Sequence, residues 1–192
     1  MNKKWQKGAG WAAICTAAAL GVLLALTIIT HPDQELARNL LVELGTEGIA
    51  ALVFNATAVL GGGAIFFMAA FLFKLSKTKM QKAGSILLML SGIALVGVGF
   101  FAVQDPYWHL LAASSFYNLT PLALITLGAG LMQTTTTHKA GAMTLAIGVT
   151  TALAAPFMVV PALQKIALML FLAWTAWTGI YLLVKSYPAS LA

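Results

Sequence analysis

Asp105 and His109 stand four residues apart in the stretch QDPYWHLLAASSFYN, residues 104–118, of a chain with only five acids and three histidines. On a helix that spacing puts a carboxylate and an imidazole on one face. Such a pair can orient the ring for acid–base work. The plainer chemistry is structural: Asp105 precedes Pro106, as an N-cap precedes a proline in the first helical turn. Tyr107 and Trp108 lie between the two, and an interfacial aromatic belt explains them without any reaction. Ser114 and Ser115 complete the residue types of a hydrolytic triad. All four residues fall on one short stretch with no nucleophile elbow, so no triad and no catalytic residue is expected.

The elements that must hold these residues follow from composition. Of 192 residues, 60% are hydrophobic and 8% charged, with a mean hydropathy of +0.91. A soluble domain carries about a quarter charged residues, so this surface suits lipid. Apolar runs fall at about 9–30, 49–73, 83–103, 110–132, 140–161 and 166–184. At about 1.5 Å per residue each can cross a core of about 30 Å as a helix. The first run follows the basic MNKKWQK, but it is longer than a signal core and no clear cleavage site follows, so a retained helix is expected. The fold class is therefore all-α: one integral membrane domain, a six-transmembrane-helix bundle over 1–192.

The cations set the orientation. Lys3, Lys4, Lys7, Lys74, Lys77, Lys79, Lys82, Lys139 and Lys185 fall on one side of six spans, and only Arg38 and Lys165 on the other. Positive charge marks the cytoplasmic side. N- and C-termini are thus expected inside, in a multi-pass protein of the inner (cytoplasmic) membrane. The formal net charge of +6 is topology plus attraction to anionic lipid, and no nucleic-acid partner is expected. Asp33, Glu35, Glu43, Glu47 and Asp105 all fall outside, with His31 and His109.

Between the first two runs, 31–47 reads as a short amphipathic helix at the outer interface. Leu36, Leu40, Leu41 and Leu44 recur at helical spacing, Pro32 suits its start and Gly45 its end. Ala13, Ala17, Gly21 and Ala25 form a small-residue stripe on helix 1. Gly61–Gly63, Gly92, Gly97, Gly99, Gly128 and Gly130 give later helices similar close-approach points. Packing inside the chain accounts for these, and a partner docking on the helix 1 stripe is the sharper alternative. Pro121 should kink helix 4 or free a carbonyl, and Pro156 and Pro161 should break the outer end of helix 5. Cys15, the only cysteine, reads as a buried structural thiol. No cofactor is expected: His31 and His109 could ligate a haem only if they met, and no metal motif is present.

Three stretches resemble a known family: LLVELGTEGIAALVFNATAVLGGG, GVGFFAVQDPYWHLLAASSFY and PALQKIALMLFLAWTAWTGIYLL. Over about 35–185 the chain resembles the prokaryotic six-helix membrane family catalogued as domain of unknown function 998, itself a distant relative of the Frag/DRAM/SFK proteins. The resemblance matches Glu43, Gly45, Phe54 and Asn55, then Gly97, Gly99 and His109, then Trp174 or Trp177. The chain departs at Val42, where serine is common, at Ala102, where proline is, and at Gln164, where glutamate is. The resemblance implies the fold and no reaction; the distant relatives are linked to lipid handling.

These readings converge on an outward-facing site for a lipid or other amphipathic molecule, lined by Glu43, Asn55, Asp105 and His109, with Trp108 fixing its depth. Membrane lipids are the expected partners. The alternatives are a substrate-binding subunit of an importer, or a helper subunit without a ligand. The orientation is testable: cysteines placed at Glu35 and Tyr107 should label from outside intact cells, and those at Lys77 and Lys139 should not.

Overall fold

Each apolar run is a helix, and several begin where the chain supplies a start signal. In a computed structural model that describes residues 3–30, 48–101, 105–155 and 160–186, the elements are α1 (Lys3–Thr30), α2 (Gly48–Leu75), α3 (Lys79–Phe100), α4 (Pro106–Met132), α5 (His138–Ala154) and α6 (Pro161–Ser186). One 3₁₀ turn, Thr135–Thr137, precedes α5. There is no strand among the described residues. Four segments are long and apolar enough to cross a membrane: Ala51–Leu75, Lys79–Phe100, Tyr107–Met132 and Ala162–Ser186. α5, with 17 residues, is shorter than these. The 31–47 segment, with His31 and Glu43, lies outside the described residues, as does Pro156.

α3 opens on a capping box, in which the Thr78 hydroxyl accepts from the Gln81 amide while the Gln81 side chain accepts from the Thr78 amide. Pro106 and Pro161 stand at the first positions of α4 and α6, where a missing N–H costs nothing. α1 starts six residues earlier than the apolar run. The reason is packing: the Trp5 ring sits 5.8 Å from the Phe71 ring at the end of α2, and Gln6 is buried. α4 continues as helix through the buried Pro121.

The helices form a ring in the order α6, α1, α2, α3, α4, α5, each packed along its neighbour, whereas α5 and α6 barely touch. Trp5 against Phe71 sets α1 antiparallel to α2. Gly10 against Gly179 and Leu183 sets it antiparallel to α6. The lysine-bearing starts of α1 and α3 therefore lie at the same end as the closes of α2 and α6. Leu20, Phe54, Ile65, Met68, Leu88, Leu124, Phe171 and Trp174 fill the core.

Glycine sets the closest approaches. A methyl group on Gly62 would stand 2.6 Å from the Gly92 carbonyl oxygen, and one on Gly92 would stand 2.7 Å from that of Gly62. No side chain fits there, so α2 and α3 meet backbone to backbone. Between α3 and α4 the Ser91 and Thr120 hydroxyls share a 2.5 Å hydrogen bond in the core. The small stripe of α1 is largely taken up within the chain. Ala13 is fully buried, a methyl on Gly21 would touch Leu172 of α6 at 3.7 Å, and Ala25 is exposed. Cys15 is exposed, contrary to the buried thiol its apolar run suggested; two residues from both Ala13 and Ala17, it lies on the side of the helix opposite the stripe.

Gly92→Ala should lower stability by about 1–3 kcal/mol, the usual cost of overpacking. Gly63, which has open space where a side chain would go, should accept alanine with no loss or a gain of up to about 1 kcal/mol from helix propensity. Thermal unfolding in micelles followed by circular dichroism checks both.

Candidate functional site

Among the described residues singled out from the sequence, no hydrogen bond joins the side chains of Asn55, Asp105 and His109 to one another. Asp105 occupies the N-cap position of α4, but its side chain makes no capping hydrogen bond and is exposed. Its carbonyl accepts the first helical bond, from the His109 amide at 3.1 Å. His109 is 3% exposed. Its Nδ1 lies 2.6 Å from the Phe101 carbonyl at the end of α3. A carbonyl only accepts, so Nδ1 carries the hydrogen. The expected Asp105–His109 pair is thus replaced by a tie from α4 to the last turn of α3. The physical reason is that the final carbonyls of a helix have no partner of their own and need a donor when buried.

His109 Nε2 has no hydrogen-bond partner among the described residues, and neither has Asn55 Oδ1. No hydrogen bond joins the two. Trp108 stacks on Phe101 at 6.0 Å and Tyr107 meets Trp108 edge-on at 5.3 Å. Both rings are exposed, as in an interfacial belt. Ser114 and Asn118 are exposed too, with the Asn118 amide donating to the Ser114 carbonyl. Glu43 lies outside the described residues. No group of three His, Cys, Asp or Glu could hold a metal among the described residues.

At the opposite end, where the lysines cluster, the bundle holds a cavity of about 310 Å³. α2, α3, α4, α5, α6 and the two links at that end wall it, so it occupies the space in which α5 and α6 part. Protein interiors hold few voids larger than a water, and at roughly 30 Å³ of liquid per water this one equals about ten.

The walls follow from local sequence. On α6, Trp174, Trp177, Thr178, Tyr181, Leu182 and Lys185 recur at three- and four-residue steps and turn one face inward. Trp174 is 1% exposed and stacks on Phe171 at 5.7 Å. Its Nε1 donates to the Thr144 hydroxyl at 3.0 Å, a bond across the α5–α6 seam. Trp177 stacks on Tyr181 at 5.2 Å. The Lys185 ammonium lies 4.4 Å from the Tyr181 ring centre and donates to its hydroxyl at 2.5 Å. On the facing wall, Gln81 donates to the Gly130 carbonyl at 3.0 Å and accepts from the Lys77 amide at 2.6 Å. It clamps the α2–α3 link to α4. Thr137 donates to the Leu131 carbonyl at 2.7 Å and shares a hydrogen bond with Thr134. Lys77 and Lys185 are exposed cavity residues, at the mouth.

One wall residue is unlike its kind. Thr16, Thr120, Thr126, Thr144 and Thr151 each donate to the carbonyl one turn earlier, the habit of threonine within a helix. Thr178 is 8% exposed, lines the cavity, and its hydroxyl has no partner among the described residues. A buried hydroxyl left without a partner costs about 1–3 kcal/mol. Sequence reading missed this end. It singled out Trp174 and Trp177 only by resemblance and passed over Thr144 on α5 and Thr178 and Tyr181 on α6, although the periodicity of α6 marks the face that Thr178 and Tyr181 share with the two tryptophans.

Four apolar spans and an antiparallel helical ring define a membrane protein of transmembrane helices. The chain belongs to the family described as "Protein of unknown function (DUF998)", which it matches over residues 13–191. No curated protein and no solved structure matches it.

His109→Ala should lower stability by about 1–3 kcal/mol by leaving the Phe101 carbonyl buried without its donor. Asp105→Asn should stay within about 0.5 kcal/mol, as exposed substitutions do. Parallel melting curves of the two variants check the contrast.

Proposed function

We propose that this protein binds an amphipathic molecule, a lipid or a lipid-like compound, in the cavity between α5 and α6. The observation that carries the reading is the Thr178 hydroxyl, buried on a largely apolar wall without a partner. A concave apolar site with a few placed polar groups is the usual form of a small-molecule site. The same reading places all six helices across the inner membrane with both termini in the cytoplasm, supported by the nine lysines at one end. The cavity would then open toward the inner leaflet rather than outward. The lipid roles linked to the Frag/DRAM/SFK proteins agree with this proposal only by analogy.

A second reading keeps the ligand at the outer end with Glu43, Asn55, Asp105, Trp108 and His109. The observation favouring it is the pair of buried acceptors there, Asn55 Oδ1 and His109 Nε2, without partners among the described residues.

Native mass spectrometry of gently extracted protein separates the two. Ala140→Phe fills the inner cavity and should abolish a copurifying amphiphile, while His109→Ala should retain it. Thr178→Val should reduce retention with no loss of thermal stability, because it removes a buried hydroxyl that has no partner. Retention lost in His109→Ala but kept in Ala140→Phe would move the site to the outer end.

A further inference from the structure

The cavity treats its two ends differently. Its floor is the Trp174–Thr144 contact, and its mouth carries the ammonium groups of Lys77 and Lys185. The mouth also presents the Thr136 hydroxyl, whereas those of Ser76, Thr134 and Thr137 there already donate to carbonyls of Leu72 and Leu131. Among the described residues no carboxylate lines any part of it. Along α6, Trp174 to Lys185 covers about 16 Å by helical rise. That length suits one hydrocarbon chain of dodecyl size lying along the wall, with Thr178 partway up. The cavity volume suits one chain rather than two, at about ten water volumes.

We propose that the occupant is a single-chain anionic amphiphile whose head is a phosphate or carboxylate held by Lys77 and Lys185. This rests on the cavity being the ligand site. The charge follows from the mouth: two cations, and no acid among the described residues, favour an anionic acceptor. The Lys185 ammonium spends one of its three hydrogens on Tyr181. It keeps two for a head, and the ring beneath holds it at the mouth. A chain below and a charge above also match the order of regions in a leaflet, where hydrocarbon lies deeper than the headgroups.

The test is native mass spectrometry of the full chain in digitonin micelles, titrated with dodecyl phosphate, dodecyl glycerol, dodecyltrimethylammonium or inorganic phosphate. Dodecyl phosphate should bind tightest. Lys77→Gln with Lys185→Gln should weaken it roughly three- to tenfold more than dodecyl glycerol, the size of two partly exposed charge contacts. Lys77→Arg with Lys185→Arg should restore it and serve as the folding control. The cationic amphiphile should bind least. Equal binding of dodecyl phosphate and dodecyl glycerol, or an equal loss of both in the glutamine variant, would overturn the anionic assignment and leave the cavity reading standing. Inorganic phosphate displacing dodecyl phosphate at equal concentration would overturn the role of the chain and make the mouth a free-phosphate site. Failure of every amphiphile to bind would instead remove the reading on which the inference rests.

Discussion

Helices in hydrocarbon gain little from burying leucine against leucine, because the lipid is as apolar as the side chain. What this bundle has instead is backbone approach. Gly62 and Gly92 stand where neither tolerates a side chain, and Gly10 with Gly179 does the same for α1 and α6. Between these points a few side-chain hydrogen bonds hold the helices: Ser91 with Thr120, Gln81 with Gly130, His109 with Phe101. All three join α3 to α4, each at a different height, so that seam is pinned along its length.

The exception is the pair α5 and α6. Here the chain places large aromatics on α6 opposite small residues and threonines on α5, and the helices part. The Trp174–Thr144 bond is the tie across that seam. Below it the core is packed, with Phe116, Phe171 and Trp174 ring against ring. Above it lies the cavity. A ring closed everywhere by glycine would have had no room for a guest; this one is closed by glycine on five sides and by one hydrogen bond on the sixth.

Hydropathy alone made the six helices legible, and Asp105–Pro106 marked the start of α4 to the residue. The glycines were legible as close-approach points, although which glycine meets which is a tertiary fact. Asp105 and His109 were misread for a definite reason. Four-residue spacing reports a shared helix face, but the donor went to a carbonyl eight residues back, where α3 ends. The cavity stayed hidden for a related reason. In an oily chain the scarce acids and histidines draw the eye, while threonines and tryptophans look like ordinary membrane residues. That Thr178 lacks the carbonyl bond its fellows make cannot be read from its position in the sequence.

α5 runs for 17 residues, about 25 Å of helical rise, against a hydrocarbon thickness of about 30 Å. In the proposed six-span arrangement this stretch of α5 is shorter than the layer, and residues 156–159 beyond it lie outside the described ones. A spanning helix of that length would thin the bilayer beside it by several ångströms, or draw polar residues at its ends into hydrocarbon. That hydrophobic mismatch falls on the flank where α5 and α6 separate. On that proposal lipid tails there would be shortened or splayed, and the acyl chains nearest the seam would be the ones least well accommodated by the membrane itself.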